Sequence, residues 1–235
     1  MVGADAKAHV FVADLGAPAL HAGDRHHLER VLRLRAGEVV TACDGAGRWV
    51  TCRFVTGGGP GGARLEIDGV VVVEAAADPP VTVVFAPPKG DRPEWAVQKL
   101  TELGVDRIVP LVAARSVVRW TGDRAAGPVE RLRRVAREAA TQSRRAWLPV
   151  VEEPITFAAA AAWPGAALAV AGGDPPSLER PVVLVGPEGG WDAEELGAGL
   201  PTVGLGPNVL RTETAAVVAG TLLVALRSGL LSPYR

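Results

Sequence analysis

The chain has 235 residues, 48% of them apolar and 22% charged, an ordinary globular composition long enough for one large domain or two small ones. Its formal net charge of −1 excludes any case for nucleic-acid binding from global electrostatics, and although 22 of its 25 cations are Arg, that skew follows a general bias toward Ala, Gly and Arg. The longest apolar run, 215–226, is broken by Gly220 and Thr221 and is too short to span a bilayer, and "MVGADAKAHVFVAD" lacks a signal core, so a cytoplasmic protein with no membrane segment is expected. The first 75 residues alternate short β-rich runs with turns: "HVFVAD", "EVVTACDGAGRWVTCRFV", the glycine-rich "TGGGPGGA", then "RLEIDGVVVVE". The second run reads as a hairpin around "DGAG". If Cys43 pairs with Arg48 across that turn, Cys52 pairs with Val39, about 13 Å along the strand from Cys43, which disfavours a disulfide. One helix interrupts the strands, "DRHHLERVLRL", with Asp24 as its N-cap and Leu28, Val31 and Leu32 on one face. Strands plus a helix predict a small β-barrel over 1–75, and Pro79-Pro80 marks a boundary.

From residue 80 to 235 the rhythm changes to strand and helix in turn: "VTVVFAPP", helix 91–103, "RIVPLVA", helix 128–143, "ALAVAGG", "PVVLVGPEGG", helix 192–199, "TVGLG" and helix 212–228. Continuous apolar strands between helices predict a parallel sheet covered on both faces, with ligands beyond the carboxyl ends of its strands. Two glycine loops occupy that position, "GPEGGW" at 186–191 and "GLGPN" at 204–208. Neither carries G-K-[ST], and no G-x-G-x-x-G opens a helix within a β-α-β unit, so these are not familiar phosphate loops. The last helix poses a question: Thr212 reads as its N-cap and Glu213 suits its positive end, whereas Arg211 stands at the wrong end of the dipole. A guanidinium there either swings into solvent or is reserved for a phosphate or carboxylate from elsewhere. The body of that helix, "AAVVAGTLLVAL", is apolar nearly all round and calls for burial on several sides, in the core or against a second subunit.

The segments "PPKGDRPEWAVQKLTELGVDRIVPLVAARS", "REAATQSRR", "VGPEGGWDAEE" and "LGPNVLRTETAA" resemble, in order, the motifs of bacterial methyltransferases that modify N3 of a uridine in 16S ribosomal RNA, members of the knotted SPOUT superfamily. The likeness runs over about 81–225, and the N-terminal part is similar to that family's PUA-like RNA-binding domain. The resemblance implies a trefoil-knotted α/β domain behind a PUA-like barrel, S-adenosylmethionine in the knot loops, a homodimer, and 16S RNA, within the small ribosomal subunit, as substrate. Gly186, Glu188, Gly189 and Gly190 match the first cofactor loop; Leu205, Gly206 and Leu210 match the second; Arg211, Thr212 and Glu213 match the polar start of the last helix. The chain departs from the pattern at Asn208, where Arg is usual, at Thr141, where Glu or Cys is usual, and at Arg144, which replaces a small residue.

The chemistry follows from the donor. A sulfonium methyl is already electrophilic, so the protein must align the uracil nitrogen with it and help remove the N3 proton, with Arg211 steadying the uridine anion through its oxygens and Glu188 or Glu213 assisting deprotonation. For RNA contact the candidates are Arg25, Arg30, Arg33 and Arg35 on the N-terminal helix, Lys89 and Arg92 in the "KGDR" turn that Asp91 caps, and Arg133, Arg137 and Arg144 at spacings that share one helix face. His21, His26 and His27 lack companions at ligand spacing, so no metal is expected. Three other readings stay open: a methyltransferase of the same superfamily acting on another RNA nucleotide; a nucleotide-dependent oxidoreductase, which lacks its dinucleotide fingerprint; and a non-catalytic RNA-binding module, which gives the paired loops no role.

Overall fold

Alternating apolar residues fold the start of the chain into strands. The computed structural model describes residues 2–3, 5–57 and 62–232, so positions 58–61 of the glycine-rich stretch lie outside the described residues. Two compact units emerge, one formed by Met1–Ala76 with Ala140–Leu148, the other by Ala77–Ala139 with Pro149–Arg235. Residues 140–148, expected with the second domain, thus pack with the first.

In the first unit the strands are β1 (Ala8–Phe11), β2 (Val39–Cys43), β3 (Arg48–Val55), β4 (Arg64–Ile67) and β5 (Val72–Val73). They form one sheet in the order β1-β2-β3-β4, with β5 on β3; β1 and β2 are parallel and the other pairs antiparallel. The Asp44 carboxylate accepts from the Ala46 and Arg48 amides, and the Asp44 amide donates to the Arg48 carbonyl, which tightens the hairpin loop to Gly45–Gly47. Cys43 therefore faces Trp49 and Cys52 faces Val40, one residue away from the register expected; both thiols are free and buried.

The helix read at 24–34 is shorter and differently wound. α1 (Ala22–His26) begins with His21, not Asp24, at the N-cap and runs into a π-helical segment, His27–Val31. The wider i→i+5 turn breaks the i, i+3, i+4 register, so Leu28 enters the core while Val31 and Leu32 stay exposed.

Past the end of the long helix α3 (Asp123–Gln142), Arg144 adopts a left-handed backbone conformation (φ 54°) and its guanidinium donates to the carbonyls of Gly3 (3.0 Å) and Ala6 (2.6 Å). It therefore does not share a helix face with Arg133 and Arg137, and its donors are committed to holding the N-terminal segment. α3 itself starts five residues before the expected 128, with Pro128 inside it.

The second unit is built on a parallel sheet of β6 (Thr82–Phe85), β7 (Arg107–Val112), β8 (Val150–Val151), β9 (Ile155–Thr156), β10 (Ala166–Asp174), β11 (Val182–Val185) and β12 (Thr202–Val203). The order is β12-β10-β11-β6-β7-β8, with β9 also on β7. β6 and β11 are buried at every position, as expected for strands covered on both faces. The covering helices are α2 (Arg92–Leu103), α3, α4 (Phe157–Ala161), α5 (Ala193–Leu196) and α6 (Thr212–Arg227). α6 presents Ala215, Ala216, Ala219, Gly220 and Leu223 to the core. Gly220 is required there, since a Cβ would lie 2.7 Å from Leu100 and 2.8 Å from Val105. At the other end of α6, Arg227 ties the amino edge together, pairing with Asp106 and donating to the carbonyls of Pro79 and Gly104. No helix among the described residues is long and apolar enough to cross a membrane.

One buried ionisable group gives the first unit a pH dependence. His9, on β1, is 3% exposed with Nδ1 2.8 Å from Thr41 Oγ1, and burial pushes its pKa down to about 4. Above about pH 6.5 the ring is neutral in both folded and unfolded chains; between pH 6.5 and 4 only the unfolded chain gains the proton. This residue should therefore remove up to about 3 kcal/mol of stability as pH falls through that window. Chemical denaturation of His9→Asn beside the unaltered protein checks it: the variant should lose that share of the pH dependence, and parallel curves would refute the assignment.

Candidate functional site

Because the neighbouring strands are parallel, the loops after β6, β7, β10, β11 and β12 all emerge at one edge of the sheet. The loop after β11, Gly186–Trp191, meets each of its neighbours. Thr212 Oγ1 donates to the Gly186 carbonyl at 3.0 Å, Arg92 Nη1 donates to Glu188 Oε1 at 2.9 Å, and Arg115 Nη1 donates to the Gly189 carbonyl at 3.1 Å. The Glu195 carboxylate adds a fourth tie, accepting from the Ala114 amide in the loop after β7 and from the Asp192 amide beyond Trp191.

A cavity of about 360 Å³ opens beside this loop. One wall is Gly186, Pro187, Glu188, Gly190 and Trp191; the facing wall is Leu205, Gly206, Asn208, Val209, Leu210 and Thr212; Ala169, Val170 and Ala171 close it at the end of β10. Gly186, Glu188, Gly190, Leu205, Gly206 and Leu210, all expected in the cofactor loops, are brought together here with Thr212, expected at the polar start of the last helix. Gly189 does not line the cavity and instead contacts Arg115.

Two local features shape the space. At Gly186 a Cβ would stand 2.9 Å from the Trp191 ring, so only glycine lets the indole close over the loop, where its Nε1 donates to the Ala169 carbonyl at 3.0 Å. On the opposite side Val203 pairs with both Ala169 and Asp174, so β10 bulges at 170–173. Gly173 and Gly204 lie back to back at that bulge, a Cβ on either falling within 2.7 Å of the other strand's backbone. "ALAVAGG" reads as a plain buried strand, and the displacement that brings Val170 and Ala171 into the cavity wall depends on its partner β12.

The polar groups divide by burial. Helix α6 begins with Arg211 in the N-cap position, one residue earlier than the sequence reading, and Arg211 makes no side-chain cap bond. Its side chain is exposed and has no hydrogen-bond or ion-pair partner among the described residues. Thr212, expected as the cap, is instead the first helical residue and spends its hydroxyl on Gly186. Glu213 is buried at the positive end of the helix, with Oε1 3.7 Å from Arg92 Nε and Oε2 without a hydrogen-bond partner. Arg92 thus stands between Glu188 and Glu213, two carboxylates that the sequence separates by 25 residues from each other and by far more from Arg92.

Apolar walls, open backbone groups on glycine turns and a few convergent polar side chains describe a pocket for a nucleoside-sized ligand. Among the described residues no group of three or more His, Cys, Asp or Glu is arranged to hold a metal ion. In the first unit, Arg30, Arg33 and Arg35 are exposed, and Arg25 is half-buried with its Nε lacking a partner. None of the four pairs with a carboxylate among the described residues, and Arg33 sits at a positive φ of 52°.

Residues 76–224 match the family model for an RNA methyltransferase domain, and residues 22–68 match that for an RNA methyltransferase PUA domain. The chain is 39% identical over 226 residues to ribosomal RNA small subunit methyltransferase E of Mycobacterium bovis, covering 88% of this chain and 86% of that one. Among solved structures, a probable rRNA-methyltransferase from Porphyromonas gingivalis superposes with a TM-score of 0.80 at 28% identity, over 95% of this chain and all (100%) of that one. A ribosomal RNA small subunit methyltransferase E from Neisseria gonorrhoeae bound to S-adenosyl methionine superposes with a TM-score of 0.76 at 28% identity, over 94% and 97%.

The tie between the two cavity loops can be weighed directly. Thr212→Val keeps the shape but leaves the Gly186 carbonyl without its donor, and should lower the unfolding free energy by about 1 kcal/mol in urea denaturation. Unchanged stability would show that this bond holds nothing together.

Proposed function

The chain belongs to the RNA methyltransferase family, in the form that carries a PUA domain, and we propose that it uses the cavity beside Gly186–Trp191 to methylate N3 of a uridine in 16S ribosomal RNA. It is an S-adenosylmethionine-dependent methyltransferase of small-subunit ribosomal RNA. The observation that carries the reading is the junction of this cavity with an unpaired Arg211 at its rim, between the second loop and α6.

The residues present fit the donor. The glycine turns leave backbone groups of Gly186, Gly190 and Gly206 open, and Val185, Leu205, Leu210 and Ala215 supply apolar surface for an adenine ring. When bound, S-adenosylmethionine supplies an electrophilic sulfonium methyl. The protein's part is to position the base and manage one proton. Arg211 holds the uracil oxygens as negative charge develops on the ring, which explains a guanidinium kept where the helix dipole opposes it. Glu188 lines the cavity and takes the N3 proton, its direction fixed by Arg92. Glu213 does not line the cavity; it anchors Arg92 from below and so supports Glu188.

Outside the cavity, Arg25, Arg30 and Arg33 of the PUA domain, with Lys89 and Arg137 of the second unit, form the RNA-facing cations of this reading. The half-buried apolar residues of α6, Val217, Val218, Leu222 and Leu226, suit a second copy of the chain, and we place the working protein in the cytoplasm as a homodimer.

Two experiments test the proposal. Mass-spectrometric mapping of 16S RNA from cells lacking the protein, with and without it supplied back, should show one uridine gaining a methyl at N3; a methyl on the ribose or on another base would overturn the assignment. Arg211→Ala should lower turnover by about 100-fold or more while leaving donor affinity essentially unchanged. Undiminished turnover would remove Arg211 from the chemistry.

A further inference from the structure

Charges in the second unit are not evenly answered. On its helices and at the amino edge of its sheet, cations face carboxylates: Arg131 faces Glu94, Arg133 faces Glu130 and Glu153, and Arg227 faces Asp106. At the carboxyl edge Arg92 is answered by Glu188 and Glu213, but the loop after β7 is not answered. Arg115 and Arg119, in the loop after β7, have no carboxylate partner among the described residues, and both are exposed.

Their loop is built to hold them still. Ser116 Oγ accepts from the Ala113 amide, and Arg119 donates from Nε to the Ser116 carbonyl and from Nη2 to the Ala114 carbonyl. The Ala114 amide is bolted to Glu195, a carboxylate only 5% exposed that also fixes the Asp192 amide. Arg115 reaches the Gly189 carbonyl of the cavity loop with one nitrogen. Each guanidinium spends only part of its five donors on carbonyls, which neutralise no charge, so both keep donors and a full positive charge for an anion. Two arginines on a rigid loop, directly beside the cavity loop, have the chemistry of a phosphate grip.

We propose that the loop after β7 is a second RNA contact of this protein, in which Arg115 and Arg119 hold backbone phosphates flanking the nucleotide that enters the cavity. The inference rests on the RNA methyltransferase reading above and assigns to the second unit a grip that is independent of the PUA domain's cations.

The test uses the full-length protein, a labelled 16S RNA fragment containing the modified uridine, and a series of salt concentrations. Arg119→Ala should weaken RNA binding about three- to tenfold at low salt and flatten the log–log salt slope by roughly 0.7–0.9, the share of one phosphate contact. Arg115→Gln, which also removes the tie to the Gly189 carbonyl, should weaken RNA binding and flatten the slope likewise; in Arg119→Ala, which leaves that tie in place, donor binding without RNA should match the unaltered protein. RNA affinity and slope unchanged in both variants would overturn the inference alone. Loss of donor binding together with RNA binding in Arg119→Ala would assign the loop after β7 to architecture and also overturn it. If the unaltered protein binds the donor but no RNA, the proposed function falls, and this inference with it.

Discussion

Thr212, Arg92 and Arg115, far apart in the chain, all send a donor to the same six residues, Gly186–Trp191. That convergence is possible because the strands feeding these loops are parallel and adjacent, so their carboxyl ends share one edge. Each bond contributes only about 0.5–1.5 kcal/mol. Together with the buried Trp191 ring they hold a glycine-rich segment in one shape. Glycine is needed at 186 for the Trp191 ring and at 173 and 204 for the bulge, so the cavity exists where the backbone approaches too closely for a Cβ.

Much of this was legible in the sequence; what was not comes partly from local turn chemistry, as at Asp44 and in the π-helical turn, and partly from remote contacts. The parallel sheet follows from uninterrupted apolar runs such as "VTVVF" and "VVLV", and the two cavity loops follow from glycine clusters placed after such runs. The features misplaced around the cavity and at the end of α3 depend on partners remote in the chain. Val170 and Ala171 reach the cavity only because β12 forces a bulge in β10; Arg115 matters through Gly189, 74 residues on. Arg144 looked like one more cation on a helix, but its guanidinium closes on carbonyls of Gly3 and Ala6, more than a hundred residues earlier. Thr212 carries the signature of an N-cap, yet the Gly186 carbonyl claims its hydroxyl and moves the cap to Arg211.

Electrostatics shows why a net charge of −1 says little about partners. Acids and bases cancel pairwise over much of the second unit, while Arg211, Arg115 and Arg119 at the carboxyl edge are left unanswered. In the first unit Arg48, Arg53 and Arg64 are paired, whereas Arg30, Arg33 and Arg35 are not. A chain near neutrality can thus present local positive potential where a polyanion would lie. Arg92 differs from the rest: sitting between Glu188 and Glu213, it links the entrance of α2 to the Gly186–Trp191 loop and to the first turn of α6.

In the proposed function the loops around Gly186–Trp191 close on a sulfonium donor. Hydrogen exchange measured residue by residue, with and without S-adenosylmethionine, tests it most directly. Exchange should slow in three segments only, 169–173, 186–191 and 204–212, with the strands of the first unit unaffected. Protection confined to the first unit, or no change at saturating donor, would contradict it.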